Sequence, residues 1–197
     1  MNEEDISQRL REGGLTLSFD TNALFLNRKF LTLCDEVALW NQRLGSEGRQ
    51  PVGLRVCTVA HSEKLFDLKQ AFQDAFDIGS IMAAFHSKGL VLESFTDKHA
   101  LALAIRLGEF YPDDKTWREA KRKRCIQCVG LNPNQVQAAS GTGRRCGATV
   151  DWLIGAHAHA EGYVLVTKDK GVEMKHLKRV ELDTLAEALR KLMSGAA

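Results

Sequence analysis

Asp20, Glu63, Asp151 and Asp169 lie far apart in the chain, yet each stands beside a short apolar, β-rich run. Asp20 ends the run in "LTLSFDTNALF", and Asp169 ends "YVLVTKD". Glu63 falls in "VCTVAHSEKL", in the first turn of the helix expected after the second strand, and Asp151 opens "DWLIGAHAHA", the helix leading into the Asp169 strand. A parallel α/β sheet gathers the ends of its strands and the starts of its crossover helices at one edge, so these carboxylates are expected to converge there. Crowded carboxylates raise one another's pKa unless a cation sits between them. Hard oxygen donors with no His or Cys beside them suit Mg²⁺ or Mn²⁺, held by carboxylates together with a substrate phosphate. The chemistry implied is metal-dependent hydrolysis of a phosphodiester. Singly, each acid has an ordinary reading as a turn residue, an N-cap or first-turn decoration; the coincidence of four at one edge sets them apart.

The elements that must hold these acids follow from alternating patterns. Near-continuous apolar runs ("LTLSF", "LRVCTV", "LVLESF", "YVLVTKD", "RVEL") are separated by segments of helical spacing, among them "HSEKLFDLKQAFQDAF" and "DKHALALAIRLGEF". Such runs are expected to form strands buried on both faces of a parallel sheet, giving a three-layer α/β/α fold. The 197 residues suit one domain, and "MNEEDISQRLREGG" reads as a short exposed helix before the first strand. No apolar run approaches the ~20 residues of a membrane span, so a soluble protein with no membrane partner is expected. The polar, acidic start lacks the features of a signal peptide, and an odd count of five cysteines argues for reduced thiols; together they point to the cytoplasm.

A formal net charge of +2 hides a local concentration. "KTWREAKRKR", Lys115 to Arg124, carries six basic residues against Glu119, a local +5 that leaves the rest of the chain at −3. The segment from about 111 to 147 shows no clean periodicity and reads as a basic insertion or long connection. Lys115, Arg118, Lys121, Arg122, Lys123 and Arg124, with Arg144 and Arg145 of "GTGRRC", could line an RNA backbone, and Trp117 could stack on an unstacked base. The alternatives are a solvated helix face for the charges and a core anchor for Trp117. Cys125 and Cys128 have zinc-ligand spacing and Cys146 follows, but no fourth ligand stands nearby. His157 and His159, at i and i+2, fall on different helix faces, so packing thiols are the preferred reading over structural Zn²⁺.

On "FDTNALF", "VCTVAHSEKL" and "DWLIGAHAHAEGYVLVTKDKG", the sequence resembles PIN-domain nucleases, in style closest to bacterial VapC-type toxins. The resemblance covers roughly Leu15–Phe110 and Thr149 onward. It implies a PIN-like fold with strand order 3-2-1-4-5, occupying residues 15–197 behind an N-terminal helical extension (1–14) and interrupted by the insertion. It implies a Mg²⁺- or Mn²⁺-dependent endoribonuclease with Asp20, Glu63, Asp151 and Asp169 as catalytic metal ligands. Asn22 and Thr167 would act as polar supports. It further implies RNA as substrate, a toxin role with an antitoxin protein as partner, and a homodimer. The N-terminal helix and the long insertion depart from the compact toxins and leave open an RNA-processing PIN nuclease. A non-catalytic RNA-binding protein of the same fold is the alternative of another class. A HAD-type phosphohydrolase needs a second acid two residues after its first-strand Asp, where this chain has Asn22.

Overall fold

Thr16–Phe19 forms strand β1, whose Leu17, Ser18 and Phe19 are all buried, and Val164–Val166 forms β4, buried throughout. Strands so placed have no polar face, which is why their sequences are continuously apolar. With β2 (Gly53–Cys57), β3 (Leu90–Glu93) and β5 (Arg179–Val180) they make a five-stranded sheet in the order β3-β2-β1-β4-β5, parallel at every pairing. β1 is central: Leu17 is in register with Leu54 on one side and Val164 on the other. The expected α/β class and strand order are both observed. The computed structural model describes residues 1–24, 28–129 and 150–195, with side chains between 122 and 130 left out of the description.

Eight α-helices are described: α1 (Glu3–Glu12), α2 (Arg28–Ser46), α3 (Thr58–Phe72), α4 (Ile78–Ser87), α5 (Asp97–Phe110), α6 (Asp114–Val129), α7 (Val150–Glu161) and α8 (Leu182–Ser194). Their contacts divide them into two groups, α1 and α2 with α8, and α3 and α5 with α7, consistent with a three-layer α/β/α arrangement. Among the described residues, no helix is long and apolar enough to cross a membrane.

Three elements differ from the sequence expectation. Helix α1 is capped by Asn2, which accepts from the Asp5 N–H at 2.8 Å while Asp5 accepts from the Asn2 N–H at 3.2 Å. It is not an exposed appendage: Ile6 and Leu10 are wholly buried in the main core, and Trp40 of α2 donates its indole N–H to the Leu10 carbonyl at 3.0 Å. One apolar residue per turn is enough when a neighbouring helix, here α8 with Leu185, Leu189 and Leu192 on its inner face, covers it. The second difference is α4, which follows α3 after a short 3-10 turn and carries a weak amphipathic pattern with Phe85 as its one buried residue. The third is α6, a helix through the basic segment where no periodicity was visible, because its sequence is polar on most sides.

Candidate functional site

Strand β1 ends by donating the Asp20 N–H to the Val166 carbonyl of β4 at 3.1 Å, which brings Asp20 beside the end of β4. Asp20 is only 1% exposed. Its Oδ1 accepts the Thr21 N–H at 2.7 Å; its Oδ2 accepts the Thr167 hydroxyl at 2.6 Å and the Asn22 amide at 2.7 Å. The Asn22 Nδ2 also donates to Asp169 Oδ2 at 2.9 Å and to Thr167 Oγ1 at 3.1 Å, so one side chain ties two carboxylates from opposite ends of the chain. Asn22 Oδ1 in turn accepts the Lys168 N–H at 3.3 Å, and the Asp169 N–H donates to Thr167 Oγ1 at 3.1 Å. Asn22 and Thr167, expected as polar supports, both donate hydrogen bonds to Asp20 Oδ2.

Glu63 lies in α3 and joins through Thr21, whose hydroxyl donates to Glu63 Oε2 at 2.6 Å. Asp20, Asn22, Glu63, Thr167 and Asp169 therefore belong to one network, which also includes Thr21, a residue not singled out in the sequence. Its only signal there was its position between Asp20 and Asn22. Asp151 is half-buried in the first turn of α7, followed by the buried Trp152.

Electrostatics in this cluster are strained in a defined direction. Burial pushes the Asp20 carboxyl up to about 6, and the negative charges of Asp169 and Glu63 add to the rise; hydrogen bonds from Thr167 and Thr21 oppose it. A cation among these groups would relieve the repulsion. Among the described residues, however, no group of three or more His, Cys, Asp or Glu side chains is placed to hold a metal ion. The Asn22 amide lies between Asp20 and Asp169, and the Thr21 hydroxyl engages Glu63, so these oxygens are satisfied by protein donors. The donor set fits a hard divalent cation in chemical type, and the described carboxylates accept hydrogen bonds from Thr21, Asn22 and Thr167. A cleft of about 180 Å³ opens beside Asn22 and Thr167, lined also by Lys29, Lys168, Glu181 and Asp183.

The basic segment begins near the same edge. Trp117 of α6 packs on Tyr111 (centroids 5.0 Å apart) and Trp152 (6.1 Å), with Lys121 Nζ 4.8 Å above its ring, the contacts of an anchor. Since Trp152 follows Asp151, this packing seats the first turns of α6 against the start of α7. Lys115, Arg118 and Arg122 are exposed and, with Asp114 and Glu119, line a groove of about 280 Å³; Arg118 pairs with Asp114 at 2.7 Å. The side chains of Lys123, Arg124, Cys125 and Cys128, and residues Arg144, Arg145 and Cys146, lie outside the described residues.

His157 is fully buried in α7, its ring 4.3 Å from that of His99, while His159 is exposed. His99 accepts the Thr96 N–H at 2.8 Å as part of the α5 cap and meets Glu161 at 2.8 Å. Burial, and the neighbouring His99, lower His157 to about 4, so it is a neutral core residue at physiological pH. Cys34 and Cys57 are buried free thiols. No family model matches this chain, and no curated protein matches it.

Proposed function

We propose that this protein is a PIN-type endoribonuclease that hydrolyses RNA phosphodiester bonds at the edge defined by Asp20 and Asp169, using Mg²⁺ or Mn²⁺. The observation that carries the reading is the Asn22 bridge, which holds a buried carboxylate from β1 against one from the end of β4 at a cost visible in the raised Asp20 pKa. Buried carboxylates brought together at such a cost cluster at functional sites. Asp20, Glu63, Asp151 and Asp169 would hold the cation through carboxylate oxygens. When bound, the cation supplies a water of lowered pKa and offsets the charge that builds on the phosphate in the transition state.

The chain's own residues do the rest. Thr167 and Asn22 fix the direction of Asp20 Oδ2, and Thr21 fixes Glu63. Asp20 is charged above about pH 6, so its capacity to accept a cation grows through that range. The exposed Lys115, Arg118 and Arg122 of α6 give the RNA backbone a cationic track, and Trp117 holds that track against α7. A toxin role, an antitoxin partner, a homodimer and a cytoplasmic location belong to the same proposal and rest on the family resemblance and the sequence composition.

A second reading, a non-catalytic RNA-binding protein, is favoured by the hydrogen bonds that Asp20, Glu63 and Asp169 each accept from protein donors. One experiment separates the two: incubation of total cellular RNA with wild type and Asp20→Asn in Mg²⁺, Mn²⁺ or EDTA, read on a gel. Discrete, metal-dependent fragments lost in Asp20→Asn support the nuclease; RNA retarded but intact in every lane supports the binding protein.

A further inference from the structure

Asp169 is held from the front by Thr167, and its carbonyl accepts Arg179 Nη1 at 2.9 Å. The chain then makes a 3-10 turn, Val172–Met174, and what secures that turn is Arg106 of α5. The Arg106 side chain is 2% exposed; its Nη2 donates to the Glu173 carbonyl at 2.9 Å and to the Lys175 carbonyl at 3.2 Å. Its guanidinium lies 5.7 Å from the centroid of Trp152, the residue after Asp151. Arg106 Nε has no hydrogen-bond partner among the described residues. A buried cation that leaves a donor unsatisfied is costly, and here one guanidinium nitrogen, Nη2, serves both carbonyls.

The surroundings leave the turn little freedom elsewhere. A Cβ on Gly155 of α7 would come within 3.3 Å of the Glu173 carbonyl oxygen and 3.1 Å of Leu177 Cδ1, so the missing side chain lets the turn lie on α7 within reach of Arg106. Glu173 is fully buried, and its carboxylate fills the space that a side chain on Gly171 would take. Phe110, one turn beyond Arg106, packs on both Trp152 (5.5 Å) and His176 (5.8 Å), and His176 has the left-handed φ of 62°.

We propose that Arg106 is a positioning residue for the acid edge: by gripping the Glu173 and Lys175 carbonyls while stacked on Trp152, it fixes the turn after Asp169 relative to the helix that carries Asp151. This rests on the reading of that edge as a metal site. Arg106 contacts none of the reacting atoms and acts through the backbone it holds. Groups that orient ligands from outside change metal affinity or activity by about 10–100-fold when removed.

The test compares wild type, Arg106→Met, which keeps much of the length and loses every donor, and Arg106→Lys, which keeps the charge and the donors on a shorter side chain. Two readouts are taken without RNA: amide hydrogen exchange by mass spectrometry, and Mn²⁺ affinity from the electron paramagnetic resonance of the free ion. The expected result is faster exchange confined to the turn after Asp169, with Mn²⁺ bound about 10-fold or more weakly in Arg106→Met and partial recovery in Arg106→Lys. Unchanged exchange in that turn overturns the proposal, as does faster exchange with unaltered Mn²⁺ affinity. Acceleration spread evenly over the protein also overturns it, since that marks an ordinary core residue. Should Arg106→Met fail to fold, Arg106→Lys carries both readouts. Failure of the metal reading itself shows in wild type, as no Mn²⁺ bound and no RNA cut, and leaves the exchange data to judge the grip on the turn.

Discussion

Asp20 accepts three hydrogen bonds and still sits well above the ordinary carboxylate range, because burial and two neighbouring acids outweigh its donors. Its folded-state pKa, about 6, exceeds the model-compound value of 3.8, so the folded protein favours the protonated acid. The stability this gives is fully present below about pH 4 and is lost as pH rises through about 6; the gap corresponds to roughly 3 kcal/mol. Asp20→Asn removes the charge but turns one acceptor oxygen into a donor facing other donors, at about 1–3 kcal/mol. The variant should therefore melt below wild type at pH 4 and draw level with it or pass it by pH 7. Parallel melting curves across that range would sink the electrostatic account. Mn²⁺ should raise the wild-type midpoint more at pH 7 than at pH 5 and leave Asp20→Asn unmoved; equal shifts in both proteins would place the ion elsewhere. Asp20 and Asp169 were legible as residues because each ends an apolar run, and Asn22 and Thr167 through the family resemblance. Thr21, Arg106 and Glu173 were not, since their partners come from α3, α5 and the turn after β4 and no local spacing encodes those meetings.

Strands and long helices were readable as elements because burial on both faces and amphipathic spacing leave a pattern. α6 was hidden by its uniform polarity, and the α1 core role by having only two apolar residues, whose burial depends on α8. Leu10→Ala tests the second point. A buried Leu truncated to Ala costs about 2–5 kcal/mol, so the melting midpoint should fall by about 5 °C or more for a chain of this size. A drop of under a degree would return α1 to the status of an appendage. Gly155→Ala tests how closely the turn after Asp169 lies on α7. The new methyl must displace the Glu173 carbonyl or Leu177 by a few tenths of an ångström, so exchange in that turn should quicken although alanine is the better helix former. An unchanged or more protected turn would show that α7 and the turn have room to spare.

For the molecule as a whole, charge and topology divide the work. The formal +2 describes no real surface: a cationic helix face stands on an otherwise mildly acidic body. Replacing Lys115, Arg118 and Arg122 together by alanine should leave α6 folded, because alanine favours helix. It should weaken single-stranded RNA binding and flatten the slope of log affinity against log salt by about 2, three phosphate contacts at ~0.7 each. An unaltered slope would assign the RNA track to another surface.

The Asn22 bridge also has a bearing on the order of events in synthesis. Its two carboxylates come from the first and fourth strands, and Asn22 and Asp169 are 147 residues apart. β1 and β2 can pair early, but Asp20 gains its Thr167 and Asn22 partners in their final geometry only once β4 has emerged and docked beside β1. Through most of translation the nascent polypeptide therefore carries Asp20 and Glu63 but neither Asp169 nor the site. Any hydrolytic competence would switch on in one late step, after the growing chain has already spent its time beside the ribosome's own RNA.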